Sequence, residues 1–89
     1  MGKYNWKIIK REGITFFFKY EPDAPDLLHI YVRHLTTIPQ ALYVWFNGVT
    51  VRNEKYNRFE TSTDECCLYW DWKNQDKKEV MIITCFGRI

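Results

Sequence analysis

The sequence is short of the features that identify membrane, secreted or metal-binding proteins. No apolar stretch approaches the roughly 20 residues that a helix needs to span a bilayer, and the N-terminus has no apolar run of the signal-peptide kind. The chain has three cysteines, an odd number, and neither a CxxC nor an HxxxH spacing occurs. We therefore expect a protein of the reducing cytoplasm that spans no membrane and binds no metal. The alternative is a zinc site that joins Cys66 or Cys67 to Cys85 and a histidine.

The net charge is also small, since 13 basic residues against 11 acidic ones give +2. This excess is too small to indicate a nucleic-acid binder by itself, but the charges are unevenly placed. The first 20 residues carry Lys3, Lys7, Lys10, Arg11 and Lys19 against Glu12 alone, whereas acids predominate from 59 to 79. A basic face could therefore bind phosphates, although such blocks are also ordinary solvated surface.

Aromatic residues, in contrast, are abundant. Six Phe, six Tyr and four Trp occur in 89 residues, and 46% of the chain is apolar. This composition predicts one folded domain, residues 1–89, with a single core. So many rings in so small a domain predict that some lie at the surface, where they would stack on bases or bind a protein.

Hydrophobic patterns predict an α+β domain. Tyr4–Lys10 and Ile14–Tyr20 read as a hairpin that turns at Arg11, Glu12 and Gly13. Four later segments alternate like strands and are joined by polar turns, so we expect a three- to four-stranded antiparallel meander whose last strand is central. These segments are Val49–Arg52, Tyr56–Thr61, Cys66–Trp72 and Val80–Phe86.

Two short helices are predicted before the meander, packed on one face of its sheet. The first covers Asp26–Leu35 with Asp26 as its N-cap, although the alternation of Leu28, Ile30 and Val32 also fits a strand. The second begins after the N-cap pair Thr36 and Thr37, with Pro39 in its first turn, and stops at Asn47-Gly48. Here the alternative is an Asn-Gly turn that follows an extended segment.

The first helix carries the residues best suited to chemistry. His29 and Arg33 lie one turn apart, and His34 projects about 100° round the helix from Arg33. Downstream, strand alternation sends Tyr56, Arg58 and Glu60 to one side. With Arg52 and Lys55 added, they suggest an anion-binding surface with an aromatic platform. The commoner explanation is a solvated helix and cross-strand ion pairs.

The order of these features resembles the BrnT-like ribonuclease toxins over about residues 28–86. The likeness is carried by His29, Arg33-His34, Ile38-Pro39, Ala41, Asn47, Arg52, the segment 57–60 (NRFE) and the closing segment 80–84 (VMIIT). The N-terminal hairpin lies outside it. The chain departs at Cys85-Phe86-Gly87-Arg88, where those toxins have an Ala-Arg-like step, so the role of Arg88 is left open.

The resemblance implies a RelE/barnase-like endoribonuclease that uses no metal or other cofactor. RNA would be its substrate, and a cognate antitoxin or immunity protein would neutralise it. His29 and His34 would transfer protons in an undecided order. Arg33 and Arg58 would bind the phosphate. The remaining RNA-binding residues would be Arg52, Lys55, Tyr56 and Glu60.

Two other functions compete with this one. A non-enzymatic protein-binding module, such as an immunity protein or a phage-encoded inhibitor, would use surface aromatic residues as anchors. Its anchors would be Tyr43, Trp45, Tyr69, Trp70 and Trp72, and its acidic residues Asp64, Glu65, Asp71 and Asp76. The third possibility is a nucleic-acid binder that cleaves nothing and uses the lysine-rich hairpin.

Overall fold

Seven strands and two short helices form the fold in a computed structural model that describes residues 6–22 and 24–87, with the backbone alone at 24–26. In chain order they are β1 (Trp6–Arg11), β2 (Ile14–Glu21), β3 (Ala24–Leu28), α1 (His29–His34), α2 (Ile38–Asn47), β4 (Val49–Asn53), β5 (Arg58–Ser62), β6 (Cys66–Asn74) and β7 (Glu79–Gly87). The order across the sheet is β1-β2-β7-β6-β5-β4, and β3 pairs with β2. The last strand is central, as predicted. Lys3, Tyr4 and Arg88 lie outside the described residues.

The predicted architecture, two helices on a three- to four-stranded antiparallel sheet of the RelE/barnase kind, is wrong. The sheet is mixed, because β2 runs parallel to β7 with Phe17 beside Met81. The N-terminal hairpin is present, but through this parallel pair it joins the same sheet as the meander. Alternation shows which residues of a strand share a face, not which distant strands pair, so this contact could not be predicted from the hydrophobic pattern.

The predicted meander is present as antiparallel neighbours from β4 to β7. Its second strand begins at Arg58 instead of Tyr56, because residues 54–57 form a turn in which Asn57 has a φ of 55°. Asn tolerates this left-handed conformation better than most residues. Tyr56 therefore lies in the turn, beside the strand that carries Arg58.

The core lies on one face of the sheet, under α2. Alternate residues of the central strands point to that face and are buried, including Phe16 and Phe18 of β2 and Leu68 of β6. Ala41, Leu42 and Val44 of α2 pack against them. The core also holds Trp70, Val80, Ile82 and Cys85.

The opposite face of the sheet, which we call the open face, has a different composition. Strand registers place on it residues such as Phe17, Lys19, Met81, Thr84, Phe86, Tyr69, Arg58 and Glu60. These side chains are half-buried, in contrast to the closed core opposite. Rings and charges therefore share this face.

The second helix agrees with its prediction. Thr37 is the N-cap, and it forms a capping box with Gln40, whose side chain returns to the Thr37 backbone. The helix ends at Asn47 before Gly48, where an added Cβ would lie 2.7 Å from the Val44 carbonyl oxygen. The alternative of an extended segment with an Asn-Gly turn is wrong.

The first helix is shorter than predicted, and Asp26 is not its N-cap. Residues 24–28 are extended, with Leu28 pairing with Tyr20, so the helix begins only at His29. Leu28 is the N-cap and gives no side-chain hydrogen bond. The helix ends at Leu35, whose φ of 54° is left-handed. The Leu35 N–H donates to the Tyr31 carbonyl, and the Thr36 N–H donates to the Ile30 carbonyl. The strand alternative for Ile30 and Val32 is therefore wrong as well.

Candidate functional site

A buried carboxylate holds the basic residues of α1. Glu21, the last residue of β2, is 4% exposed. Its Oε2 accepts from His29 Nδ1 at 3.2 Å and from Arg33 Nε at 3.1 Å, and its Oε1 accepts from Arg33 Nη2 at 2.9 Å. One carboxylate satisfies both side chains because His29 and Arg33 lie one helical turn apart. We call these three residues the Glu21 clamp.

The charge of Glu21 determines which ring nitrogen of His29 donates a hydrogen bond. Hydrogen bonding from Arg33 lowers the pKa of Glu21, with a smaller contribution from His29, and together they outweigh the opposing effect of burial. The ionised carboxylate can only accept, so His29 donates from Nδ1. Its Nε2 is then the ring nitrogen that remains for a ligand, and no described residue bonds to it.

His34 stands next to the clamp. Its ring centroid lies 5.9 Å from that of His29 and 5.8 Å from that of Phe86 on the open face. Although His34 is exposed, its neighbours partly desolvate the ring and so lower its pKa, and the positive charges of His29 and Arg33 add to the effect. The imidazole therefore stays neutral, a proton acceptor, at neutral pH. An anchored imidazole and a neutral, proton-accepting imidazole thus lie side by side.

A second cluster surrounds Arg58. Its Nε donates to Glu60 Oε2 at 2.9 Å, and its guanidinium lies 3.7 Å from the ring centroid of Tyr69 and 4.7 Å from that of Tyr56. Asn53 donates to the same Glu60 oxygen at 2.8 Å. That bond and Arg58 lower the pKa of Glu60 against the effect of burial. The predicted grouping of Tyr56, Arg58 and Glu60 is therefore present.

The two clusters are neighbours but not one pocket. Phe86 touches His34 on one side and Tyr69 on the other, at a centroid distance of 5.1 Å, and Tyr69 lies under Arg58. Two aromatic rings thus separate Arg58 from the imidazoles. The predicted contact of Arg58 with the phosphate that the histidines act on has no support in this arrangement.

Of two other predicted RNA-binding residues, Arg52 lies apart from Arg58, whereas Lys55 lies at the edge of its cluster. Arg52 pairs across the strands with Phe59, which faces the core side, and its guanidinium lies 4.7 Å from the Phe59 ring. It also contacts Asn57, Glu54 and Asp71. Lys55 is exposed, with Nζ 5.4 Å from the ring of Tyr56. Arg52 is thus already paired, whereas Lys55 borders the cluster.

Sequence reasoning missed Glu21 and Phe86, and it named Tyr69 only as a protein-binding anchor. Alternation from Phe17 through Lys19 puts Glu21 on the same side, and this could have shown its direction. Its closeness to His29 depends on how β3 turns back along β2. The link between Phe86 and Tyr69 depends on the register of β6 and β7.

Of the tryptophans proposed as surface anchors, Trp70 is buried in the core, and Trp45 and Trp72 are partly buried against it. Trp45 lies 4.3 Å from Trp70 and 6.5 Å from Trp72 between ring centroids, within the face covered by α2. Tyr43, in contrast, is 61% exposed on α2. Of the proposed anchors, Tyr43 is therefore the one well placed to meet a partner on that side.

The cysteines do not form a metal site. Burial raises the pKa of Cys85 to about 12, and it also raises the pKa of Cys66. Over residues 6–22 and 24–87, no group of three or more His, Cys, Asp and Glu side chains is arranged to hold a metal ion. Among the same residues, neither helix has the length and apolar character needed to cross a membrane.

Comparison with known proteins adds no relative. The chain matched no protein-family model, no curated protein and no solved structure. The function must therefore be inferred from the two clusters and from the open face that joins them.

Proposed function

We propose that the protein is a metal-independent endoribonuclease whose proton-transfer pair is His29 and His34. The observation that carries this proposal is the contrast between two imidazoles 5.9 Å apart. One is bound to a buried carboxylate, and the other has a pKa below its ordinary value. Opposite environments for neighbouring titratable groups are typical of acid and base pairs.

The different environments of the two imidazoles support one order of proton transfer. His34, held neutral, accepts the proton of a ribose 2′-hydroxyl, whose oxygen attacks the adjacent phosphorus while the bond to the 5′-oxygen breaks. His29 donates a proton from Nε2 to that leaving oxygen, and the Glu21 carboxylate stabilises the imidazolium that does so. The products are a 2′,3′-cyclic phosphate and a 5′-hydroxyl.

Arg33 supplies positive charge beside this pair. Its guanidinium is bound to Glu21, yet the side chain is 54% exposed, so a phosphate can approach it. Charge that develops on the phosphorane is stabilised by a cation already in position. Phe86 and Tyr69 separate Arg58 from the histidines. Its role is therefore to bind RNA at a position distant from the bond that breaks.

The test is cleavage of a structureless RNA by purified protein in EDTA. We expect His34→Gln and His29→Gln each to lower the cleavage rate about a hundredfold to ten-thousandfold, as loss of a proton-transfer group does. Tyr43→Ala, on the other side of the domain, is the control and keeps the full rate. Equal cleavage by all four proteins, or none by the wild type, would refute the proposal.

A ribonuclease of this kind would arrest growth when it is expressed. We therefore also propose that the protein is a toxin that a cognate antitoxin or immunity protein neutralises. Expression of the wild type beside His34→Gln tests this. Growth arrest by the wild type alone supports it, whereas equal growth of the two cultures counts against it.

A second candidate is the protein-binding module, for which one observation speaks. Leu27, Tyr31, Val32 and Leu35 are all exposed around α1, and Leu35 is 75% exposed. Apolar side chains grouped at the surface mark protein interfaces more often than isolated ones do. If no RNA is cleaved and Leu35→Asp abolishes capture of a partner that the wild type retains, this function replaces the first.

A further inference from the structure

The described open face carries a row of contacts that leads away from the histidines, and we call it the open-face row. It consists of His34, Phe86, Tyr69, Arg58 and Tyr56. Successive members are 5.8, 5.1, 3.7 and 4.7 Å apart, measured between ring centroids or from the Arg58 guanidinium carbon to a ring centroid. Four different elements of the fold contribute to it, so the row crosses the sheet.

Arg58 is held in position in this row, but not all of its hydrogen-bond donors are used. Its Nε is bound to Glu60, and rings contact its guanidinium, yet neither Nη group has a hydrogen-bond partner among the described residues. A stacked guanidinium with unused donors can bind a phosphate or the edge of a base without being reordered. Most of the ordering that such binding requires is therefore already complete.

The surrounding charges favour an anion on this face. Lys10, Lys19 and Lys73 share it, with Lys73 Nζ 5.1 Å from the Phe17 ring, and no carboxylate among the described residues pairs with any of them. Of the acids, Glu60 is bound to Arg58 and Asp71 lies 3.8 Å from Arg52. Glu79 is the acid on this face without such a partner in the described part of the chain. Unpaired lysines beside rings match a polyanion that carries bases.

Rings select unpaired bases over paired ones. Tyr56 is 58% exposed, so it presents a ring to the solvent, and the contact with the guanidinium of Arg58 holds that ring in place. A base in a single strand can stack on such a surface, whereas the bases of a duplex already stack on their neighbours. The row therefore suits an extended single strand.

We propose that the open-face row binds single-stranded RNA and leads it to His34, an inference that rests on the proposed ribonuclease for its substrate but is tested by binding. Phosphates meet Arg58 and the lysines of the same face, while bases stack from Tyr56 towards Phe86. Duplex RNA binds less well because its bases cannot reach the rings.

The experiment is fluorescence anisotropy with a labelled 2′-O-methyl oligouridylate, which lacks the attacking hydroxyl and is not cleaved. A matched 2′-O-methyl duplex is the competitor. We expect Tyr56→Ala to raise Kd about fivefold to tenfold, which is the effect of losing one stacked base. Arg58→Lys, which keeps the charge without the planar stack, raises it severalfold. Tyr43→Ala is the control, because Tyr43 is equally exposed but lies on α2, and it leaves Kd unchanged.

The outcomes distinguish the row from the catalytic proposal. Single-strand binding that Tyr56→Ala weakens about fivefold to tenfold and Tyr43→Ala leaves unchanged supports the row, even if the wild type cleaves nothing. Cleavage by the wild type with equal Kd for Tyr56→Ala and Tyr43→Ala overturns the row and leaves the ribonuclease standing. Equal affinity for the duplex, or no binding of either oligonucleotide, also overturns it. If circular dichroism shows that Tyr56→Ala or Arg58→Lys is unfolded, the other of these two variants serves as the test.

Discussion

The two helices of this protein are stabilised in different ways. α2 has a capping box at Thr37 and Gln40, a proline in its first turn and a glycine at its end, all signals within the segment itself. α1 has six residues, no side-chain cap and a left-handed leucine at its C-terminus. Its strongest polar contacts go to Glu21, which belongs to a strand. α2 is therefore specified locally, and α1 by the fold around it.

This difference matters because the proposed chemistry lies on α1. Short helices without caps are marginal by themselves, so the position of His29 and His34 depends on the Glu21 clamp and on Ile30, which is buried in the core. The helix that carries the imidazoles is thus the one that depends on the sheet. Changes in the clamp should affect function, whereas changes in the caps of α2 should affect stability alone.

The largest effect is expected from Glu21→Gln. An amide cannot stabilise the charges of His29 and Arg33, so the clamp loosens and the imidazole pair loses its geometry. We expect RNA cleavage to fall about a hundredfold, as happens when reacting groups are misplaced by about 1 Å. A lower melting temperature should accompany this loss.

Glu65→Gln is the control, because Glu65 is exposed on the loop before β6 and lies outside the clamp. Cleavage rates that match in the two variants would show that Glu21 does not position the histidines.

The next largest effect is expected at the end of α2. In Gly48→Ala the new Cβ would lie 2.7 Å from the Val44 oxygen and 2.8 Å from the Ser62 oxygen, so backbone must shift. We expect a loss of about 1–3 kcal/mol in the free energy of unfolding, measured by urea denaturation. Gly87→Ala, whose nearest atom would be 3.8 Å away, should be nearly neutral. An equal loss in both variants would contradict this account of Gly48.

Effects of about 1 kcal/mol and of opposite sign are expected at the two caps. Thr37→Ala removes the capping box and should lower the free energy of unfolding of the protein by about 1 kcal/mol, whereas Thr37→Ser keeps the capping box.

Leu35→Gly relieves the left-handed φ of 54° and should raise the free energy of unfolding by about 1 kcal/mol. Urea midpoints measure both changes. A destabilised Leu35→Gly would mean that the Leu35 side chain contributes more than its backbone strain removes.

The smallest effect is expected from pH. The pKa of His34 is lowered in the folded chain, so near and below the ordinary histidine value the unfolded chain binds more protons. The stability that His34 contributes is therefore complete above about pH 6.5 and is lost as the pH falls through the lower folded pKa. Glu21, whose pKa is also lowered, adds a second loss in stronger acid.

Urea midpoints between about pH 8 and about pH 5 check this dependence. In His34→Gln the fall should be shallower over this range. An identical slope in both proteins would show that His34 has no such coupling to folding.

The contrast between the helices also explains how much could be predicted. The predicted ends of α2 are confirmed because Thr37, Pro39 and Gly48 are signals within the segment itself. The start of α1 was wrong because Pro25 and Asp26 imitate a helix start, while pairing of β3 with β2 keeps those residues extended. Local preference gave way to a tertiary contact.

The candidate site shows the same limit. Spacing alone placed His29 beside Arg33, and alternation alone placed Arg58 beside Glu60, so both groupings were predictable. The distance between the two groups was not, because it depends on β7 and β6 lying between them. Glu21 was missed for the same reason, since only the path of β3 brings it to His29.

The most direct test of the central claim is long-range proton–nitrogen NMR of the two imidazoles in the wild type and in Glu21→Gln. We predict that Nδ1 of His29 keeps a proton in the wild type, which leaves Nε2 to exchange the catalytic proton, and that His34 titrates below the ordinary histidine value. In the variant the preference of His29 for a proton on Nδ1 should weaken, whereas the pKa of His34 should stay low, because burial and the charges of His29 and Arg33 lower it. Tautomer averaging at His29 together with an ordinary titration of His34 in the wild type would contradict the anchored imidazole pair.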